Sequence, residues 1–190
     1  MGEAGASAGS TIYEGDRLST DDGGVLRISS PGLTLHLSGQ SLVILRHPES
    51  PEGGIVAELA SGTLVFSSAR TANIVVVTGD ALIHPATNAS TMAQIRVVNR
   101  KELRISAQRG ATEFSYHGES ETIPEGKTYR VLLDPSETDA GAALGSPTKH
   151  HKFLLLEIGI AAGIAIPMLI RAFESPDNPG PAPIPSPKKP

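Results

Sequence analysis

The chain has 190 residues, a formal net charge of −4 at pH 7, and neither cysteine nor tryptophan. Without cysteine it has no disulfide framework, no thiolate metal site and no cysteine nucleophile. Its first 148 residues contain no block of lysine and arginine, so the electrostatic footprint of a nucleic-acid-binding protein is missing. We therefore expect one domain of ordinary size with appendages, and no nucleic-acid partner.

Residues 9–133 alternate short aliphatic runs with polar residues and turn signals. Residues 33–37, Leu-Thr-Leu-His-Leu, show the alternation cleanly, and Gly-bearing turns such as residues 22–24 and 30–32 separate the runs. A period of two places one set of side chains inward and the next outward on a strand. Because no helical pattern interrupts these segments, the sequence predicts an all-β domain over residues 9–133.

The composition of the predicted core bears on which β architecture the domain adopts. Only 4% of the residues are aromatic, and thin layers filled by leucine, isoleucine and valine are typical of stacked coils. Short strands with Gly-bearing turns are also typical of sandwiches and barrels. The predicted fold is therefore all-β, as a β-solenoid-like or twisted double-sheet domain.

The composition changes after residue 133. Residues 134–148 are small, polar and rich in Gly and Pro, which predicts a flexible linker over residues 134–152. Residues 153–170 carry a single charge, and as a helix they would be about 27 Å long, close to the thickness of a hydrocarbon core. We therefore predict one transmembrane helix over residues 153–173, followed by a Pro-rich disordered tail over residues 174–190.

The predicted helix contains one acidic residue and one pair of spaced glycines. Glu157 lies about one turn inside, where its carboxylate can reach the headgroups or Lys152. Gly159 and Gly163 have the spacing that lets two spanning helices approach closely. Small residues are also common in spanning helices that do not pair, so helix pairing through Gly159 and Gly163 is one of two alternatives.

No arrangement of polar residues indicates catalysis or a cofactor. Asp21, Asp22, Glu119 and Glu121 lie in turn segments, where a solvated charge is the ordinary outcome. The six histidines have no metal-ligand spacing, and neither a phosphate-binding Gly-rich loop nor a nucleophile elbow is present. We therefore expect no enzyme activity, no metal and no cofactor.

Several segments in succession resemble the FecR domain, and together they cover residues 9–133. The segments are residues 13–20, 24–28, 38–45, 56–66, 74–85, 95–106 and 123–127. The positions that match the family motifs are Gly15, Asp16, Thr20, Gly39, Gly62 and Gly126. The Gly-Asp-x-Leu-x-Thr element formed by Gly15, Asp16 and Thr20 is the most specific part.

The Gly-Asp element also has a physical interpretation that does not depend on the family. Gly15 permits a tight or positive-φ turn, and the Asp16 carboxylate can accept hydrogen bonds from turn amides. Thr20 can do the same at the next turn. We therefore expect Asp16 to have a structural role and not a catalytic one.

Two departures from the family pattern bear on what the resemblance implies. Family members usually have a further Gly-bearing strand before the Gly-Asp element, where this sequence has only residues 1–9. The usual Gly-Thr pair after the central strand is replaced around residues 84–87, and Gly110-Ala111 stands where Glu-Gly is common. The first departure leads us to expect a natural start upstream of Met1.

The resemblance implies a non-catalytic domain of the bacterial cell envelope. The best-known relatives relay a signal across the inner membrane, from an outer-membrane receptor to an extracytoplasmic sigma factor. Their sigma-binding segment precedes the membrane helix, whereas here the predicted helix follows the β domain. The resemblance therefore implies a binding or sensing role in the envelope more directly than it implies sigma-factor regulation.

We expect a protein partner held by strand-edge pairing, a membrane contact through the single span, and homo-oligomerisation as a further alternative. Lys149 and Lys152 before the predicted helix balance Arg171, Lys188 and Lys189 after it, so charge does not decide the orientation. The family favours an inner-membrane protein with a periplasmic β domain. The sequence as it stands has no signal peptide, which favours a tail-anchored protein with a cytoplasmic domain.

Two functional hypotheses follow. The first is a membrane-anchored, FecR-like binding or signalling module without enzyme activity. The second is a structural envelope component whose β domains self-associate and whose anchors pair. A polysaccharide-acting β-helix enzyme that uses Asp21, Asp22 and Glu119 is a distant third.

Overall fold

Alternating aliphatic and polar residues give a chain whose regular elements are strands. The structure is a computed structural model that describes residues 5, 7–46, 54–87, 89–135, 148–149 and 152–158. No helix occurs among these residues. The predicted all-β fold is therefore confirmed for this part of the chain.

The strands join into one 14-stranded sheet. The N-terminal half contains β1 (Arg17–Ser19), β2 (Leu26–Ser30), β3 (Leu33–Leu37), β4 (Leu42–Arg46), β5 (Ile55–Ser68), β6 (Ile74–Thr78) and β7 (Ala81–Pro85). The C-terminal half contains β8 (Thr91–Asn99), β9 (Glu102–Arg109), β10 (Thr112–Tyr116), β11 (Glu119–Ile123), β12 (Thr128–Leu133), β13 (Thr148–Lys149) and β14 (Phe153–Glu157).

The longest strand, β5, belongs to both layers of the curled sheet. Its first half pairs with β4 and β6, and its second half pairs with β3 and β8. Layer A contains β1, β4, the first half of β5, β6, β7, β10 and β11. Layer B contains β2, β3, the second half of β5, β8, β9, β12, β14 and β13. The change of layer falls at Gly62, which has a φ of +85°.

The pairing pattern distinguishes between the two predicted architectures. Among the described strands every pair is antiparallel except β5 with β6. Stacked solenoid coils would pair successive strands in parallel, whereas hairpin connections give antiparallel neighbours. The described residues therefore form a curled double layer, and the solenoid-like alternative does not describe them.

The core lies on one side of most strands, as the alternation predicts, whereas β5 at residues 64–66 and β14 at residues 153–155 are buried on both sides. In β3, Leu33, Leu35 and Leu37 are 4%, 1% and 0% exposed, whereas Thr34 and His36 are half-buried. Each large apolar side chain that is fully buried contributes about 1.5–3 kcal/mol. The largest fully buried side chains of the shared core are Phe66, Phe114, Phe153, Leu35, Leu37, Leu59, Leu64, Ile74, Ile83, Ile95, Leu103 and Ile105.

The C-terminal end of the described chain corrects a boundary that the sequence predicts. The sequence predicts a transmembrane helix from residue 153, but Phe153–Glu157 forms β14 and pairs with β12. Phe153 is fully buried, and its ring meets that of Phe114 edge to face with centroids 4.9 Å apart. A short apolar run suits a buried strand as well as a helix, and the edge of β12 supplies hydrogen-bond partners for the backbone.

This strand also moves the predicted domain boundaries. The β domain extends beyond residue 133, because β13 lies within the predicted linker 134–152 and pairs with β14. Glu157 is on the surface of the domain, and its Oε1 lies 2.6 Å from Lys127 Nζ. Gly159, Gly163 and the predicted tail over 174–190 lie outside the described residues. Within the described ranges, no helix is long and apolar enough to cross a membrane.

Tyr116 links the two layers at the end of β10. Its hydroxyl donates to Asp134 Oδ2 at 2.8 Å, just beyond β12. Close by, Lys152 Nζ donates to the carbonyl oxygen of His117 at 2.5 Å. Burial is the main cause that raises the pKa of Tyr116 to about 12, followed by the hydrogen bond to Asp134 and by nearby carboxylate charge. The neutral hydroxyl is therefore the form that the folded chain stabilises.

The raised pKa of Tyr116 predicts a loss of stability at alkaline pH. An unfolded tyrosine loses its proton near pH 10, whereas the folded one keeps it until about pH 12. The stabilisation is complete below about pH 10 and is lost as the pH rises through 12. Relative to Tyr116→Phe, the free energy of unfolding of the unmodified protein should fall by roughly 2 kcal/mol between about pH 9 and pH 12. Urea unfolding of both proteins measures this difference, and a difference that stays constant with pH would contradict the prediction.

Candidate protein-binding surfaces

Positions that carry the FecR resemblance converge where the sheet changes layer. Thr20 follows β1, Gly39 lies between β3 and β4, and Gly62 lies within β5. Three neighbouring segments of chain therefore pass from one layer to the other at the same place. We call this place the corner, and it consists of residues 20–24, 38–41 and 61–63.

Hydrogen bonds from two hydroxyl groups hold the corner together. Thr20 Oγ1 donates to the Ser38 carbonyl at 2.5 Å and accepts from the Ser41 N–H at 3.0 Å. Ser41 Oγ donates to the Thr63 carbonyl at 3.1 Å and accepts from the Thr63 N–H at 2.8 Å. Ser41 is 2% exposed, so these bonds replace water at backbone groups that the strand ladders leave unpaired.

The glycines of the corner have no room for a side chain. A Cβ at Gly62 would lie 2.3 Å from Ser41 Oγ and 2.7 Å from the Gln40 carbonyl oxygen. A Cβ at Gly39 would lie 2.7 Å from the backbone nitrogen of Gly23. The three segments therefore approach each other at backbone distance, which only glycine permits at these two positions.

The remaining motif positions also make backbone contacts. Gly15 has a φ of +85°, and the following Asp16 accepts a hydrogen bond from the Tyr13 N–H to Oδ2 at 2.7 Å. Gly126 has a φ of +77° and donates its N–H to the Ala107 carbonyl at 2.7 Å. These contacts fix the start of β1 and the turn before β12. They position strands and present no polar group to a ligand.

The described carboxylates and histidines form no metal-binding constellation. Within the described ranges, no group of three or more His, Asp or Glu side chains could hold a metal ion. Asp21 contributes its carbonyl oxygen to the corner, where it accepts from the Gly24 and Gln40 N–H groups at 2.9 and 3.1 Å. Glu119 Oε2 accepts from the Lys152 N–H at 3.3 Å. The Asp21 main chain and the Glu119 carboxylate therefore have contacts that serve the fold.

The edge of the sheet at β11 is protected against strand addition. Glu119 and Glu121 lie on the same side of β11 as the buried Ile123, while Ser120 lies on the exposed side. Pro124 follows the strand directly. Inward-pointing charges and proline are features by which natural sheets hinder pairing at an edge.

The edge at β2 lacks the inward charges, although Pro31 follows this strand as Pro124 follows β11. Within the described residues β2 pairs only with β3, and Leu26 and Ile28 pack against the core. In a hairpin with a two-residue turn, the pair of residues next to the turn is hydrogen-bonded, and here that pair contains Ser30. Hydrogen-bonded and non-hydrogen-bonded pairs alternate along an antiparallel ladder, so Arg27 and Ser29 direct their N–H and C=O groups away from β3. Such a row is a template for an incoming strand, and the β2 edge is the candidate site for the predicted strand-edge pairing.

The outer face of layer A carries an aliphatic patch that the sequence analysis missed. Cross-strand register sets Val56 beside Val75 and Val77 beside Leu82. Leu82 is 42% exposed and the other members are half-buried. The signal was present in residues 74–77, Ile-Val-Val-Val, where the outward positions are as apolar as the inward ones. We call this surface the layer A patch: Ile44, Val56, Val75, Val77 and Leu82. Glu58, in an ion pair with Arg46, lies between Ile44 and Val77.

A cavity of about 310 Å³ adjoins the layer A patch and shares Val75 with it. Its polar lining side chains are those of Arg70, Asn73, His84 and Thr87. None of its described lining residues is a carboxylate. His84 Nδ1 lies 3.0 Å from the carbonyl oxygen of Pro85. The cavity is therefore a recess beside an apolar surface.

Two crystal structures of a candidate anti-sigma factor from Parabacteroides distasonis share this fold, with TM-scores of 0.51 and 0.50. Each is 15% identical to this chain, and each alignment covers 62% of this chain and 55% of the other. The chain thus corresponds to about half the length of these structures, and at this identity the likeness concerns the fold alone. No known family model matches the sequence, and no curated protein matches it.

Replacement of Gly62 tests the close approach at the corner. Gly62→Ala brings a Cβ to 2.3 Å from Ser41 Oγ at a φ of +85°, and we expect the free energy of unfolding to fall by roughly 3 kcal/mol or more. Gly118→Ala is the matched control, because Gly118 has a φ of +83° and nothing within 4 Å of its Cβ position. The control should lose only about 1–2 kcal/mol. Equal losses in denaturant unfolding would contradict a closely packed corner.

Proposed function

We propose that this chain is a non-enzymatic, FecR-like binding module that passes a signal through a protein partner. The observation that carries the proposal is the corner. The resemblance singles out Thr20, Gly39 and Gly62, and the same three residues make the sheet change layer. The fold that this chain shares with a candidate anti-sigma factor supports the same hypothesis, a module that passes a signal, independently of the motif residues.

The partner binds by adding a strand to β2. This edge has outward-directed backbone groups and no inward charge, in contrast to the β11 edge with Glu119 and Glu121. Main-chain hydrogen bonds would provide the affinity, and the exposed Arg27 and Ser29 would contribute to specificity. This mode of binding needs no catalytic group.

We assign the domain to the periplasmic side of the inner membrane, with residues 158–173 as its anchor. Because residues 153–157 form β14, 16 residues of the predicted helix remain, 158–173, and its apolar run covers residues 158–170. Such a helix would be about 24 Å long, and local thinning of the bilayer with an Arg171 side chain that reaches the headgroups accommodates it. Glu157 then stays outside the membrane in its ion pair with Lys127.

A proline at the β2 edge tests the binding mode. Ser29→Pro removes an outward N–H from β2, and Ser120→Pro makes the equivalent change at the protected β11 edge, since both serines are second from a two-residue turn. We expect tagged full-length protein, cross-linked in its native membranes, to recover a protein partner in the unmodified and Ser120→Pro forms. The Ser29→Pro form should recover at least roughly tenfold less.

Thermal unfolding of both proline variants controls for loss of the fold. Equal recovery of the partner by the two variants would contradict binding at β2. Recovery of no protein above an untagged control would contradict a partner-binding function altogether.

The layer A patch favours a second function, that of a self-associating envelope component. An aliphatic face can pair with its own copy about a two-fold axis. Exposed aliphatic patches are a feature of protein-interaction surfaces. In this function the patch, and not the β2 edge, forms the interface.

Charge placed in the patch tests self-association. Leu82→Glu should convert a dimer of the full-length protein into a monomer, because the interface would bury an unpaired carboxylate. Val98→Glu is the matched control, since Val98 is 43% exposed and Leu82 is 42% exposed, but Val98 lies on β8 outside the patch. Sedimentation in detergent measures the oligomeric state. A monomeric unmodified protein would contradict the second function.

A further inference from the structure

The outer face of layer B concentrates positive charge. Cross-strand register aligns Arg96, Arg104 and Arg130 side by side across β8, β9 and β12. Neighbouring strands are about 4.8 Å apart, so this arginine row is about 10 Å long. Arg96 and Arg104 are exposed and Arg130 is half-buried. The row is therefore a short line of cations that solvent or a ligand can reach.

Only one arginine of the row has a carboxylate partner in the described part of the chain. Arg130 binds both oxygens of Glu102, at 2.8 and 2.9 Å, and this hydrogen bonding is the main cause that lowers the pKa of Glu102. No described carboxylate lies within ion-pair distance of Arg96 or Arg104. Like charges directly opposite each other destabilise a sheet. The Glu102 carboxylate also interacts with the charge of Arg104, and an anion bound at this face would offset the remaining repulsion.

Among the residues that the structure describes, the remainder of this face adds no carboxylate beside the row. Arg27 lies on the outer face of β2, and the register sets it beside His36. Burial, and then the charge of Arg27, lower the pKa of His36. The described residues of this face thus include four arginines and one carboxylate, Glu102, whereas the whole chain has a net charge of −4. Positive charge is segregated to one side of an acidic protein.

The arginine row ends at the strand from which the chain leaves the domain. Register sets Arg130 beside Leu156 of β14 and Leu132 beside Leu154. Leu132 and Leu156 are half-buried, and Leu154 is 1% exposed. The apolar run of residues 158–170 begins one residue after β14. Arginines bordered by leucines, next to an apolar run, have the chemistry of a membrane-interface surface.

We propose that the outer face of layer B docks on the anionic headgroups of the bilayer that holds the chain. This inference rests on the anchor of the proposed function. An arginine guanidinium binds two phosphate oxygens through two parallel hydrogen bonds. The headgroups of a bilayer present many phosphates in one plane. The flanking leucines and the adjacent apolar run favour a bilayer over an acidic protein as the occupant.

The absence of cysteine allows one dye to be attached at a chosen place. Gln108→Cys labels the outer face of layer B, where Gln108 contacts Gln94, and Ser115→Cys labels the outer face of layer A. The full-length chain is reconstituted in phosphatidylcholine liposomes with or without phosphatidylglycerol, and both contain a quencher on the lipid headgroup. With the anionic lipid, quenching at Gln108→Cys should exceed quenching at Ser115→Cys by roughly threefold, and the excess should decrease in the neutral lipid.

Reversal of charge in the row is the decisive variant. Arg96→Glu with Arg104→Glu should abolish the excess quenching at position 108. Arg17→Glu with Arg70→Glu makes the same change of charge at exposed positions outside layer B, and it should leave the excess intact. Equal effects of the two double variants, or quenching that does not depend on the anionic lipid, would overturn the proposal.

Flotation separates failure of this inference from failure of the proposed anchor. A chain that does not float with neutral liposomes contradicts the anchor. If the anchor fails in this way, the docking proposal still predicts that the unmodified chain floats with anionic liposomes. It also predicts that the Arg96→Glu, Arg104→Glu variant does not float with them. In the Arg96→Glu, Arg104→Glu variant, loss of the cross-linked protein partner with unchanged quenching would mean that the arginine row binds an acidic protein. That result would overturn the proposal.

Discussion

The close approach of three backbone segments at the corner is the constraint on which the rest of the structure depends. A sheet curls into two layers only where strands can bend together, and here Thr20 and Ser41 tie the three bends through their hydroxyl groups. Gly62 must lack a side chain for Ser41 to reach Thr63. A small polar network thus determines which strands join layer A, which join layer B, and which aliphatic side chains meet between them.

Much of this fold can be predicted from the sequence, because period-two patterns and Gly-bearing turns are local signals. The buried leucines of β3 and the turn glycines show this directly. The importance of Gly39 and Gly62 also came from the sequence, through a resemblance. The reason for their importance did not, since only the structure brings Gly23 next to Gly39 and Ser41 next to Gly62.

The features that the sequence did not predict arise from contacts between distant segments. Residues 153–157 are apolar enough for either a membrane helix or a buried strand. Pairing with the edge of β12 and the contact between the rings of Phe153 and Phe114 stabilise the strand. The layer A patch and the arginine row are cross-strand rows whose members are scattered along the chain. Alternation predicts that Arg104 points outward, but only register reveals that Arg96 and Arg130 flank it.

The position of β14 gives the domain a mechanical property. The chain continues from the Glu157 end of this strand, where the Lys127 ion pair and the hydrogen bond from the Ile158 N–H to the Thr128 carbonyl lie. Tension directed away from the sheet at this end would load these contacts first and then break in sequence the pairs that β14 makes with β12 and β13. Phe153 would leave last and uncover Phe114. Traction on the C-terminal segment would therefore be transmitted to the interior of the domain.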